Sequence, residues 1–452
     1  MTSLKEDQAQ NVQPMLFSSL QGNKLQLQFD APEVSSDAGM LILREVETHT
    51  DFIKNFAASF TDKRNQSYVK HSQQELIAQR ILQICNGYPD CNDGDSLKND
   101  PALKIAVGRS VEDAALGSQP TLSRLDNSFN KADLMRMAYA LGENFLNGFS
   151  KEPETIIIDM DPTVNKTYGD QQLALFNGFV DDYCLMPFHV FDGVTGQLIT
   201  TVLRPGITPS GTEIVTVLKR LERQIRRRFK KTKLIFRADS HHCRHGVLDF
   251  LEKKKMQFVI GLQPNLVLNG IFRRYADAAK YSADLDWRKV RSFHQTHYAA
   301  GTWSKKHRVV ARVQATPTGT DLRYVVTNME DIPARSLYEI LYCDRANAEL
   351  MIKDSKLGLN SDRMSCHTMQ ANQFRMLLHG VAYQLMHSLR ANFLQGTRLA
   401  TAMFDSIRLK LLKVAGRFVV GKRTIKVHLP ESSPVKSLYA RVAAISAQLT
   451  FT

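Results

Sequence analysis

Two short β-branched runs, TIIIDMD (155–161) and KLIFRAD (233–239), each end on a carboxylate, and the order of segments around them limits the possible folds sharply. Between them lie YCLMPFHVFD (183–192) and QLITTVLR (197–204), joined by GVTG as a hairpin, and then the helical stretch TEIVTVLKRLERQIRRRF. A helix over 244–255 and the strand MQFVIGL (256–262) follow. This β-β-β-α-β-α-β order predicts a mixed α/β sheet with its acidic strand ends side by side. Asp161 and Asp239 are the carboxylates at those ends. Asp159 is a rival to Asp161, because residues i and i+2 of a strand share a face. Asp161 is preferred because it closes the strand, ahead of Pro162 and Thr163.

A third carboxylate belongs to a spaced signature. Tyr342, Arg345, Glu349 and Lys356 read Y-x2-R-x3-E-x6-K. On a helix over 334–357, Arg345, Glu349 and Lys356 fall at i, i+4 and i+11 on one stripe, with Tyr342 at its leading edge. A carboxylate flanked by two cations and a phenol suits a divalent metal held beside a phosphodiester, the cations and hydroxyl gripping phosphate oxygens. Phosphoryl transfer between oxygen nucleophiles uses two divalent cations about 4 Å apart. Two carboxylates from adjacent strand ends and one from a helix can build that clamp, and hard oxygen ligands favour Mg2+ or Mn2+.

The charge balance agrees with a polyanionic partner. Net charge is +14 over 452 residues. The cations cluster in KRLERQIRRRFKKTK (219–233), WRKVR (287–291) and RLKLLKVAGRFVVGKRTIK (408–426), the pattern of a phosphate-binding surface. Six scattered cysteines without a CxxC pair read as reduced thiols, and His241-His242-Cys243-Arg244-His245 reads as a loop rather than a zinc module. No run of 18 apolar residues and no signal-peptide core is present, so an intracellular protein without a membrane span is expected.

Five regions are expected. Residues 1–150 form a mostly helical DNA-binding region, with a polar start over 1–30 in which LQLQF could form an edge strand. Within it, Ser118 or Pro120 can start a short helix in SQPTLSRLDNSF that displays Thr121, Ser123 and Arg124, as a helix-turn-helix reader would. An ordinary surface helix is the competing reading. Residues 151–262 hold the first part of the core, 263–333 a β-rich insertion, 334–398 the second part with the signature helix, and 399–452 a basic C-terminal region.

At these residues the chain resembles the DDE transposases of the RNase H-like superfamily. The branch is that of bacterial insertion-sequence enzymes marked by the Y-R-E-K signature, and within it the chain is most similar to the "thirteen-eighty" insertion-sequence family. NGYPDCNDGDSLKNDPALK, SQPTLSRLDN, DMDPTVNKTYGDQ, LRPG, FRADS, FVIGL and DRMSCHTMQANQFRMLLHGVAYQL carry the likeness. It departs at FRADSHHC, where the family more often has Gly and Phe after Asp-Ser.

The resemblance implies an RNase H-like core interrupted by the β-rich insertion. Asp161, Asp239 and Glu349 would be the catalytic and metal-binding triad, served by Mg2+ with Mn2+ able to substitute. Tyr342, Arg345 and Lys356 would hold transposon-end phosphates. It further implies cleavage and strand transfer at terminal inverted repeats and into target DNA, a homodimer in the DNA complex, and a place in the bacterial cytoplasm at the nucleoid. Related enzymes excise through a DNA hairpin and stack a flipped base on an aromatic of the insertion. Tyr324 is the candidate for that aromatic, Trp287 and Trp303 are alternatives, and plain strand packing is the competing account. Two other functions stay open: a transposase-derived DNA-binding protein without catalysis, and a structure-specific nuclease.

Overall fold

A computed structural model describes residues 14–450, with side chains to 448, so the expected polar start falls partly outside the described residues at 1–13. LQLQF does contribute a strand: Asn23–Leu27 pairs with Met15–Leu20 in an antiparallel hairpin.

The centre of the molecule is an eight-stranded mixed sheet. Its strands are β1 (Thr155–Pro162), β2 (Phe188–Asp192), β3 (Leu198–Val202), β4 (Lys233–Ala238), β5 (Gln257–Leu262), β6 (Val290–Tyr298), β7 (His307–Thr316) and β8 (Gly319–Thr327). They lie in the order β6-β7-β8-β5-β4-β1-β2-β3. β1, β4 and β5 run parallel, with Arg237 beside Asp159 and Ala238 beside Ile260. β2 and β3 run antiparallel as a meander, and His189 stands opposite Asp161. The carboxyl ends of β1 and β4 therefore share one edge of the sheet.

Alternation along β1 divides the structure into two faces. Ile156, Ile158 and Met160 join one apolar cluster with Ile214, Leu218 and Leu221 of the helix Gly211–Arg228 and Val247 and Leu251 of the helix His245–Lys253. Asp159 and Asp161 face the other side, which carries the signature segment. The helix Gly211–Arg228 starts where Ser210 and Glu213 form a reciprocal capping box, satisfying two of the orphan donors at its N-terminus.

Two expectations need correction. Residues 263–333 are not all β-rich: Leu266–Leu285 is a 20-residue helix capped by Asn265, and it buries Leu268, Phe272, Ala276, Ala279 and Ala283. The three strands that follow do not stand apart either, because β8 pairs with β5 and extends the main sheet. The signature helix is also not continuous. A π-helical turn (Leu337–Tyr342) and a 3-10 turn (Cys343–Arg345) precede the α-helix Ala346–Lys353, and a second π-helical turn (Asp354–Gly358) follows it. Its residues therefore do not form the single straight stripe that ideal helical spacing predicts.

The N-terminal helices do not close on a core of their own. Met40, Leu82, Cys85 and Leu141 share one cluster with Leu377, Val381 and Leu385 of the long helix Met369–Ser388 and with Val442 near the C-terminus. Gln384 on that helix donates to the carbonyls of Leu141 (2.9 Å) and Leu198 (2.8 Å), tying N-terminal helix and sheet together. Among the described residues no helix is long and apolar enough to cross a membrane.

Candidate active site

Three sequence-distant carboxylates converge on the shared strand edge. Asp161 is the next-to-last residue of β1, Asp239 directly follows β4, and Glu349 lies on the helix Ala346–Lys353. Arg345 joins two of them: Nη1 lies 3.4 Å from Asp161 Oδ2, and Nη2 lies 3.4 Å from Glu349 Oε1. The Glu349 side chain is 63% exposed, against 17% for Asp161. Among the described residues no set of three or more metal-binding side chains is drawn into one compact cluster. The donor chemistry nonetheless fits a hard divalent cation, because two carboxylates already share one positive charge and a third stands at the neighbouring strand end.

The strand-end aspartates are held in opposite protonation regimes. Burial pushes Asp161 up to about 7; Arg345 opposes the shift, while Asp239 and Glu349 add to it. Burial also works to raise Asp239, but His242 and His241 outweigh it and hold that carboxyl well below the ordinary range. His242 Nδ1 donates to Asp239 Oδ1 at 2.8 Å, His241 Nδ1 to Oδ2 at 2.9 Å, and the His241 amide to Oδ1 at 3.0 Å. The His-His pair that resembled a metal motif thus serves the carboxylate beside it.

Asp159, the rival of Asp161, has a different occupation. It receives two parallel hydrogen bonds of 2.6 Å from Arg237, and neither side chain is more than 1% exposed. Arg237 also donates to the Leu341 carbonyl (2.7 Å) and to Asp344 (2.9 Å). This buried fork clamps the signature segment onto the sheet and sets the starting point from which Arg345 reaches Asp161. Removing one partner of such a pair costs about 3–5 kcal/mol. Sequence reasoning missed Arg237 and Asp344; the available signal was an Arg two residues ahead of Asp239, and Asp344 just ahead of Arg345.

Tyr342 packs beside the same edge. A Cβ on Gly261 of β5 would lie 2.6 Å from the Tyr342 hydroxyl and 2.9 Å from the Ser240 amide, so glycine is required for that approach. Lys356, half-buried, donates Nζ to the Val164 carbonyl at 2.5 Å, just past β1. An ammonium carries three donors, so that bond leaves two for a phosphate. Thr121 and Arg124 lie elsewhere, on the helix Gln119–Asp126, where Arg124 is exposed and donates to the Thr121 hydroxyl at 3.2 Å.

Tyr324 requires correction. It is 2% exposed, its ring packs 5.7 Å from Phe272, and its hydroxyl donates to Asn269 at 2.8 Å. It offers no face to a base, because β8 directs it into the core beneath the inserted helix. Trp287 is 80% exposed just beyond that helix. Trp303 is half-buried and lines a cleft of about 370 Å³ with Tyr298, Asn265, Ser240 and His241, next to Asp239.

A family model for the transposase DDE domain, group 1, matches residues 17–450. Among solved structures the chain is similar to the piggyBac transposase synaptic complex with hairpin DNA, at 11% identity and a TM-score of 0.42, over 91% of this chain and 85% of that one. It is also similar to the Mos1 transposase paired-end complex with left transposon end, at 19% identity and a TM-score of 0.17, over 44% of this chain and 61% of that one. Nothing matches among curated proteins.

Proposed function

Because the chain belongs to the family of transposase DDE domains, group 1, we propose that it binds the terminal inverted repeats of a bacterial insertion sequence and cuts and rejoins DNA there, with Asp161, Asp239 and Glu349 as its metal ligands. The observation that carries the assignment is Arg345 spanning Asp161 and Glu349 at the edge where Asp239 ends β4. The strand order β3-β2-β1-β4-β5, an antiparallel meander followed by parallel strands, supports an RNase H-like core. Membership in the Y-R-E-K branch rests on the four signature residues.

Two divalent cations, Mg2+ or Mn2+, would activate the attacking oxygen and stabilise the leaving oxygen. The chain's own groups do the rest. His241 and His242 orient the Asp239 carboxylate and keep it ionised. Arg345, Lys356 and Tyr342 supply donors to the phosphate oxygens of the transposon end, and Arg237 holds their segment against the sheet. Excision passes through a hairpin, for which Trp303 rather than Tyr324 supplies the aromatic face beside the site. Thr121 and Arg124 contact the repeat from the N-terminal helices, and two copies act together because two ends must be joined.

The test is incubation of the full chain with end-containing DNA and Mg2+. Asp161→Asn, Asp239→Asn and Glu349→Gln should each abolish nicking, by at least a hundredfold, and leave end binding in a gel shift within about threefold. Wild-type nicking by any one of them removes that residue from the triad. Activity in Asp161→Asn with loss in Asp159→Asn, in a protein that still melts cooperatively, would move the strand-end assignment by two residues.

A further inference from the structure

The helix Gly211–Arg228 and the turn after it carry a dense run of exposed positive charge that the candidate active site does not use. Lys219, Arg220, Arg223, Arg227, Lys230 and Lys231 are all exposed, and none of their side chains forms a salt bridge among the described residues, although Arg227 donates to the Tyr139 hydroxyl at 3.0 Å and the Lys231 amide donates to Glu152. The only acids on this helix are engaged elsewhere: Glu213 caps it and pairs with Arg204 at 2.9 Å, while Glu222 is buried and pairs with Lys254 at 3.0 Å.

An ordinary solvated helix face looks different in the same molecule. On the helix Leu266–Leu285, Arg273 pairs with Asp277 and Lys280 with Asp284, both at i,i+4. On the basic helix, Lys219, Arg223 and Arg227 instead repeat like charge at i,i+4, which disfavours the isolated helix. Cations in a last turn complement the helix dipole, and that accounts for the residues near Arg228. It does not account for Lys219, Arg220 and Arg223, which lie mid-helix.

The track runs away from the carboxylates. The helix begins at Gly211 beside Arg244, whose Nε donates to the His241 carbonyl at 3.2 Å, and it ends near Lys233, at the opposite edge of the sheet. Its buried side packs on Ile158 and Met160, the face of β1 opposite to Asp159 and Asp161. Phosphates on this track therefore cannot be the ones being cut. From Lys219 to Arg228, the last residue of the helix, the rise is about 14 Å, the length of roughly four base pairs, and Lys230 and Lys231 follow in the turn.

Resting on the reading of the chain as a transposase, we propose that this helix face is a backbone track for target DNA, separate from the cleft that holds the transposon end. Recognition would be independent of sequence, because the exposed groups are cations suited to phosphate and carry no base-reading amides.

The test uses the full chain with Lys219→Gln, Arg223→Gln, Arg227→Gln and Lys231→Gln combined, after thermal melting shows that it folds as the wild type does. Joining of a pre-cut end into plasmid DNA should fall tenfold or more, while nicking of an end-containing oligonucleotide falls far less. The slope of log affinity against log salt for a random duplex should flatten by about 3.6, since each of the four lost phosphate contacts removes about 0.9. Unchanged joining and an unchanged slope would reduce the helix to a solvated face and overturn the proposal. Equal losses in nicking and joining would assign the track to the transposon end and overturn it as well. If the wild type itself neither nicks nor joins, the transposase reading fails, and the salt slope still reports whether this face binds DNA.

Discussion

Inside the core, the Tyr324 hydroxyl donates to Asn269 while its ring packs on Phe272. Tyr324→Phe should therefore cost about 1 kcal/mol of stability, read as a lower melting temperature, and should leave the ratio of hairpin formation to first nick unchanged. Trp303→Ala should slow the hairpin step selectively, by the roughly 1–3 kcal/mol that base–aromatic stacking supplies. Single-turnover kinetics resolve the two steps; equal slowing of both by Trp303→Ala would return that side chain to a packing role. Tyr324 looked suitable in the sequence because it lies on a strand shortly before the signature. Which way a strand side chain points depends on register with β5 and β7, and those pairings are set by distant residues. Asp161 and Asp239 were legible because a β-branched run ending on a carboxylate is a local pattern. Arg237 was not, because its partners Asp159, Leu341 and Asp344 come together only when β1, β4 and the signature segment assemble.

Elements with strong periodicity were readable, and elements with a weak apolar pattern or with distant anchors were not. The helix Gly211–Arg228 and strands β1 to β5 lie close to where the pattern puts them. The helix Leu266–Leu285 was missed although Leu268, Phe272, Ala276, Ala279 and Ala283 recur at helical spacing, because small alanines give a weak apolar signal. The segments that form the π-helical turns on either side of Glu349 are held by residues distant in sequence. Arg237 holds Leu341 and Asp344, while Asp354 accepts from the Phe404 amide at 2.8 Å. A second helix junction gives a pH test. Glu47, near the end of the helix Met40–Thr50, accepts from the amides of Ile53 and Lys54 at 3.0 Å and so caps the helix Phe52–Ala57. Burial pushes its carboxyl up to about 7 in spite of those bonds. An acid raised on folding binds its proton more tightly in the folded state, so its contribution is most favourable below about 4.5, declines as pH rises to about 7, and is level above that. Glu47→Gln should flatten this part of the stability profile in thermal melts from pH 5 to pH 8; an unaltered slope would place the titrating group elsewhere.

At the scale of the molecule, one core joins the two ends of the chain. Met40, Leu82 and Leu141 lie in the same cluster as Leu377, Val381 and Val442. A fragment of residues 1–150 should therefore lack a cooperative thermal transition and bind a hydrophobic dye, since its apolar faces lose the cover of the helix Met369–Ser388. A fragment that melts sharply and prefers repeat DNA to random duplex would show an independent end-binding domain. Local pattern by itself determined the strand runs, the carboxylates that close them, the spaced signature and the basic clusters, because each of these is written within a few turns or strand lengths of chain. The tertiary structure alone decided that Arg345 would bridge Asp161 and Glu349, that Tyr324 would face inward, and that the N-terminal helices would wrap a helix more than 200 residues away. Those outcomes depend on which apolar faces cover one another, and no single segment contains both faces.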